Sequence, residues 1–146
     1  MAMTLKKITL WRKEVDDKPG ALAEALALLA QAGTDLQAVM GYRYPGDHGK
    51  AAIELHPVSG KKAIEAAQSA GLAASSIPTV LVQGDNRSGL GHAIAKALGD
   101  EGINLSFVLA QVVGRKYVAV FGFDNDSDAA KAIALIKKAA APARKR

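Results

Sequence analysis

Slid along itself by 69 residues without gaps, the chain meets its own image at the positions where backbone geometry is most demanding. Asp16 meets Asp85, Gly20 meets Gly89, Leu29 meets Leu98, and Gly33 meets Gly102. Leu36 and Val39 meet Leu105 and Val108, while Asp17, Lys18 and Asp35 meet the related Asn86, Arg87 and Asn104. A period this long means one structural unit built twice. It constrains the fold more than any composition does, because whatever the first half forms the second half must form again.

Apolar periodicity supplies the unit. Leu5 to Val15 reads as a strand anchored by Ile8, Leu10 and Trp11, and Gly20 to Ala32 as a helix with Leu22, Leu26 and Leu29 on its buried face. Gly33 stops that helix. Asp35 to Tyr44 and Lys50 to His56 read as a hairpin around the turn cluster Pro45 to Gly49. Ser59 is placed to cap a second helix, Gly60 to Ala70, and Leu72 to Ile77 can form a short fourth strand. The order then restarts: strand Thr79 to Gln83, helix Leu90 to Glu101, strands Ile103 to Val113 and Lys116 to Phe123, and a last helix Asp128 to Ala140 capped by Asp126 or Ser127.

Strand-helix-strand-strand-helix, twice, is an α+β pattern: two ferredoxin-like βαββα(β) units, each with two helices on one face of an antiparallel sheet. The expected domains are residues 1–77 and 78–146. A unit of about 70 residues buries little of its surface alone, so the two sheets are expected to pair side by side. The second unit lacks a final strand of its own. Its sheet is left as an edge or is completed by the other unit.

The corner between first strand and first helix carries the chemistry. In the first copy it is Asp17-Lys18-Pro19-Gly20-Ala21-Leu22, and in the second Asn86-Arg87-Ser88-Gly89-Leu90. Helix-opening N–H groups, the positive end of the helix dipole and bare backbone at glycine suit a ligand carboxylate. The competing reading is structural: Asp16, Asp17 and Asn86 cap their helices, and Asp35 and Asn104 end turns.

These corners, each followed by a helix stop and polar residue (Gly33-Thr34-Asp35-Leu36 and Gly102-Ile103-Asn104-Leu105), resemble the ACT domain. The likeness spans nearly the whole chain as a tandem pair. The first copy matches better, since the second lacks the proline and has Gly91 after Leu90. The resemblance implies a non-enzymatic regulatory module that binds an amino acid or similar small zwitterion, with sheets joined in pairs and ligands at the corner and domain interface. It implies Asp17, Gly20, Ala21 and Asp35 as ligand-binding residues in copy one, and Asn86, Gly89, Leu90 and Asn104 in copy two. Asp17 and Asp35 would suit a ligand ammonium, and Asn86 and Asn104 can both donate and accept. A homodimer and a regulated partner protein follow as expectations, with no cofactor and no metal.

Other classes find little support. Gly89-Leu90-Gly91-His92-Ala93-Ile94 misses the third glycine of a dinucleotide fingerprint, and no acidic residue ends the next strand. His48, His56 and His92 have no partner at metal-ligand spacing, and the chain has no cysteine. No stretch approaches the roughly 20 apolar residues of a membrane span, so a cytoplasmic protein is the expectation. The alternative function is nucleic-acid binding. The net charge of +5, concentrated partly in residues 142–146, would supply the electrostatics, and Tyr117, Phe121 and Phe123 at period two would supply a stacking face. A phosphatase-like enzyme using Arg87 and Asn104 shares the fold but lacks a phosphate-cradling glycine loop.

Overall fold

The computed structural model describes residues 3–46 and 49–141. The element order is β1 (Thr4–Ile8), β2 (Trp11–Asp16), α1 (Ala21–Gln31), β3 (Ala38–Arg43), β4 (Lys50–His56), α2 (Lys61–Ser69), β5 (Ala73–Ala74), β6 (Thr79–Asp85), α3 (Leu90–Asp100), β7 (Leu105–Val113), β8 (Lys116–Phe123) and α4 (Asp126–Ala139). Two four-stranded antiparallel sheets result, in the orders β3-β4-β2-β5 and β1-β6-β8-β7. Each carries two helices, so the repeated α+β units expected from the periodicity are present.

The expected strand Leu5 to Val15 is two strands. β1 pairs with β6, from Thr4 opposite Gln83 to Ile8 opposite Thr79, and β2 starts again at Trp11 in the other sheet. The chain accordingly divides into Thr9–Ser76 and a unit made of Met1–Ile8 with Ile77–Arg146. Residues 4–8, assigned by the repeat to the first unit, complete the sheet of the second. The break falls at Thr9-Leu10, between the two strands: Leu5 packs on the second core, and Trp11 and Val15, of the same parity, pack on the first.

Each unit has its own core. In Thr9–Ser76, Ala25 and Leu29 of α1, Ala67 of α2 and Leu72 meet Ile53 and Leu55 of β4. Leu22, expected inside, is exposed; Ala25 takes its place on the buried stripe. The second core is larger: Leu90, Ile94 and Leu98 of α3 and Ala129, Ala132 and Ile136 of α4 close over Val80, Val82, Tyr117, Ala119, Phe121 and Phe123. Those three aromatics are therefore core, with Phe121 and Phe123 stacked at 6.4 Å. This overturns the proposed base-stacking face, since rings closed over by helices cannot stack on bases. The basic stretch 142–146 and His48 lie outside the described residues.

Helix ends also depart from expectation. Gly60, not Ser59, is the N-cap of α2, and the α4 cap is Asn125, whose side-chain oxygen accepts from the Asp128 N–H at 2.8 Å. No helix among the described residues is long and apolar enough to cross a membrane.

A chain lacking residues 1–8 is expected to lose hydrogen-exchange protection at amides in 79–83, whose β1 partners are gone, while amides in α1 and β4 keep theirs. Unchanged exchange along β6 would refute the strand exchange between units.

Candidate functional site

Both corners are built alike. In the first, the Ala21 N–H reaches back to the Lys18 carbonyl at 3.3 Å, closing a turn in which Gly20 sits at φ 86°, ψ −8°. That is the third position of a type II turn, and Pro19 before it supplies the φ that the second position needs. Helix α1 then begins with the Glu24 N–H on the Gly20 carbonyl at 3.0 Å. In the second corner the Leu90 N–H meets the Arg87 carbonyl at 3.2 Å, with Gly89 at φ 80°, ψ 1°. Nothing lies within 4 Å of a Cβ built on either glycine, so backbone conformation alone calls for glycine at these positions.

No side chain caps α1 or α3. The capping role considered for Asp16, Asp17 and Asn86 is therefore not what these residues do. They tie the corner to the neighbouring hairpin. The Asp17 N–H donates to the Gly49 carbonyl at 2.8 Å, and the Asn86 N–H to the Arg115 carbonyl at 2.8 Å. Asp16 pairs with Lys50 at 2.8 Å, and Asp85 pairs with Lys116. Lys50 draws the Asp16 carboxyl below its usual range, and hydrogen bonding and charge, Lys116 first among the causes, lower Asp85 to about 2. The Asp17 carboxylate meets the Arg43 guanidinium at 3.2 Å.

Asp35 and Asn104 sit elsewhere. Each follows a helix stop at positive φ, Gly33 at 73° and Gly102 at 70°, where the next N–H returns to Leu29 or Leu98 at 3.0 Å. Asp35 lines a cleft of about 470 Å³ with Thr34, Gln37, Pro57, Ser59 and the start of α2. Asp17 lies at the other end of β3. Six residues of strand separate the two ends by about 20 Å, and nine residues of β7 separate Asn104 from the Asn86 corner by about 30 Å. Within a unit, then, the structure unites Asp17, Gly20 and Ala21, and likewise Asn86, Gly89 and Leu90, but neither Asp35 nor Asn104 joins its corner.

Sequence reasoning missed the charged cleft beside the first corner. It measures about 310 Å³ and is lined by Lys13, Lys18 and Lys50, by Glu14, Asp16 and Glu24, and by Ala21. Ammonium and carboxylate groups thus surround the opening turn of α1. Glu24 in that first turn was a readable signal; Lys50 was not, because its place opposite Asp16 depends on strand register. The second corner is furnished differently. Arg87, the counterpart of Lys18, donates from Nη2 to the Ala139 carbonyl at the end of α4 at 2.9 Å. Among the described residues, no group of three or more His, Cys, Asp or Glu is placed to hold a metal.

Solved structures share this fold. A protein of Bacteroides thetaiotaomicron superposes with a TM-score of 0.73 at 18% identity, over 92% of this chain and 89% of its own. The ligand-free regulatory subunit of aspartate kinase from Thermus thermophilus gives 0.62 at 16% identity, over 95% and 97%. In the allosteric aspartate kinase of Clostridium acetobutylicum the likeness, with a TM-score of 0.60 at 14% identity, spans 95% of this chain and 34% of the enzyme. No family model and no curated protein matches the chain. The architecture is thus a tandem one, shared with regulatory subunits of aspartate kinase, and the resemblance of the two corners to the ACT domain holds at the level of fold.

Gly20→Ala and Gly89→Ala are each expected to cost about 1–2 kcal/mol, the penalty of a side chain in the left-handed region, measured by urea unfolding. A cost below about 0.5 kcal/mol, the range of a neutral surface change, would mean that the corners relax out of the turn.

Proposed function

We propose that the chain is a non-enzymatic regulatory module that binds an amino acid or similar small zwitterion at its first strand-helix corner. The observation that carries this reading is the cleft beside Gly20, where Lys13, Lys18 and Lys50 alternate with Glu14, Asp16 and Glu24 around a helix start that no side chain caps. A ligand carboxylate has Lys18 and the N-terminal end of α1 to meet, and a ligand ammonium has Glu24 and Glu14. The shared fold supports a regulatory role, since several proteins with it are regulatory subunits of aspartate kinase. Any regulation then passes to a partner protein or through oligomeric state.

Calorimetry and thermal shift against the standard amino acids test this. One of them should bind saturably and stabilise the chain by about 2.7 kcal/mol at one hundred times Kd, with Glu24→Gln weakening it several-fold. Absence of any stabilisation at millimolar concentrations would count decisively against the reading.

The module works as a homodimer in this proposal, joined through β7. That strand is a sheet edge of nine residues without one charge, and Val108, Leu109, Val112 and Val113 leave both of its faces apolar and exposed. The opposite edge of the same sheet, β1, carries Lys6 and Lys7, a common device against edge pairing. Antiparallel pairing of β7 with itself is two-fold symmetric. Within the chain, Ser106 near the start of β7 donates to Asp124 at 3.1 Å. Sedimentation should give a dimer that Val112→Lys converts to monomer, and a monomeric unsubstituted chain would sink the assignment.

A further inference from the structure

The sheet of the first unit has one face under its helices and one without them. Ile53 and Leu55 of β4 point into the helix-side core, so Glu54 between them points to the other face. It is only 2% exposed. Its Oε2 accepts from the Tyr42 hydroxyl at 3.1 Å, and its Oε1 has no hydrogen-bond partner among the described residues. A buried carboxylate with an oxygen left over is costly unless a cation or donor serves it. Burial, followed by the charge of Glu54, pushes the Tyr42 phenol up, keeping it a donor.

The side chain across the sheet from Glu54 is Arg12. Its guanidinium lies over the Tyr44 ring, 5.7 Å from the centroid, and donates to the Tyr44 hydroxyl. That hydroxyl in turn donates to Glu14 at 3.3 Å. The rings of Tyr42 and Tyr44 stand 6.1 Å apart at 58°. Two inclined aromatic faces and two carboxylates are what a planar cation needs: π-density below the plane and acceptors at its rim.

We propose that Tyr42, Tyr44, Glu14 and Glu54 form a guanidinium-binding box, filled in the free chain by the protein's own Arg12 and opened to a guanidinium-bearing ligand when Arg12 swings out. The box shares Glu14 with the Gly20 cleft, while Tyr42, Tyr44 and Glu54 lie outside that cleft, and the box does not rest on the cleft's proposed ligand. Arg12 acts as an internal occupant, so an external guanidinium binds by competition and reaches the Glu54 oxygen that Arg12 leaves unserved.

Titration calorimetry with methylguanidinium tests the box. Arg12→Ala should bind it at least ten-fold more tightly than the unsubstituted chain, and Glu54→Gln on that background should lose at least ten-fold. Methylammonium, lacking the planar fork, should bind the Arg12→Ala chain more weakly than methylguanidinium. Arg12→Gln serves should the alanine variant fail to fold. In the unsubstituted chain, millimolar methylguanidinium should shift the Arg12 Nε–H resonance while that of Arg87 stays in place. Equal binding with and without Arg12, indifference to Glu54→Gln, equal binding of methylammonium, or an unmoved Arg12 resonance would each overturn the assignment.

Discussion

A strand that ends in a tight corner and becomes a helix within four residues needs one backbone position at positive φ. Gly20 and Gly89 supply it, and the rest of each unit is hung from that turn. The turn fixes where the helix starts. A single N–H, from Asp17 or Asn86, fixes where the corner meets the adjacent hairpin. With those two constraints set, Leu29 and Leu98 arrive over their sheets fully buried, and Gly33 and Gly102 end the helices in time for the next strand. The corner is thus first a folding device. Its suitability for anions follows from the same geometry, because a helix opened by glycine leaves its start to be met by a ligand instead of a cap.

Much of this was legible in the sequence because it is local. Helix stops, hairpins and the duplicated corner depend on residues a few positions apart, and their glycines mark them. The fate of β1 is not local. Residues 4–8 pair with 79–83, about half the chain away, and the phase change between Ile8-Leu10 and Trp11-Val15 does not mark the break, since Leu5 shares the parity of Trp11 and Val15 yet packs on the other core. That mismatch was visible, but a change of phase is equally consistent with a strand buried on both faces. Choosing between a two-faced strand and two strands takes knowledge of which partner edge is unfilled. The aromatic trio on β8 shows the same ambiguity: period two identifies a common face, and only the packing of α3 and α4 shows that it is inside.

The corner was legible in backbone and obscure in side chains. Gly20 was marked because its turn geometry selects glycine. Lys50 and Lys13 were not, because they reach the corner through strand pairing. Asp35 shows the same limit: the sequence groups it with Asp17, and the fold places it at the far end of β3. Glu54 sits in a strand whose pattern, Ala-Ile-Glu-Leu, looks half-exposed. Its burial on the helix-free face has no counterpart in the alternation, and register with Arg12 and Tyr42 had to be seen before the residue meant anything.

Duplication makes the two corners a controlled comparison. Backbone hydrogen bonds, glycine torsions and the Asp-Lys pair are reproduced to within small differences. What diverges is the basic residue inside the turn. Lys18 borders a cleft that also holds Glu14 and Glu24. Arg87 instead spans to the last turn of α4 and satisfies the Ala139 carbonyl, one of the acceptors a helix end leaves without an intrahelical donor. A lysine turned toward a charged cleft keeps a cation available for a ligand, whereas an arginine bonded to a helix end has been given to the fold. The same turn thus leaves a lysine at a charged cleft in one copy and docks a helix end in the other, and the difference rests on one side chain.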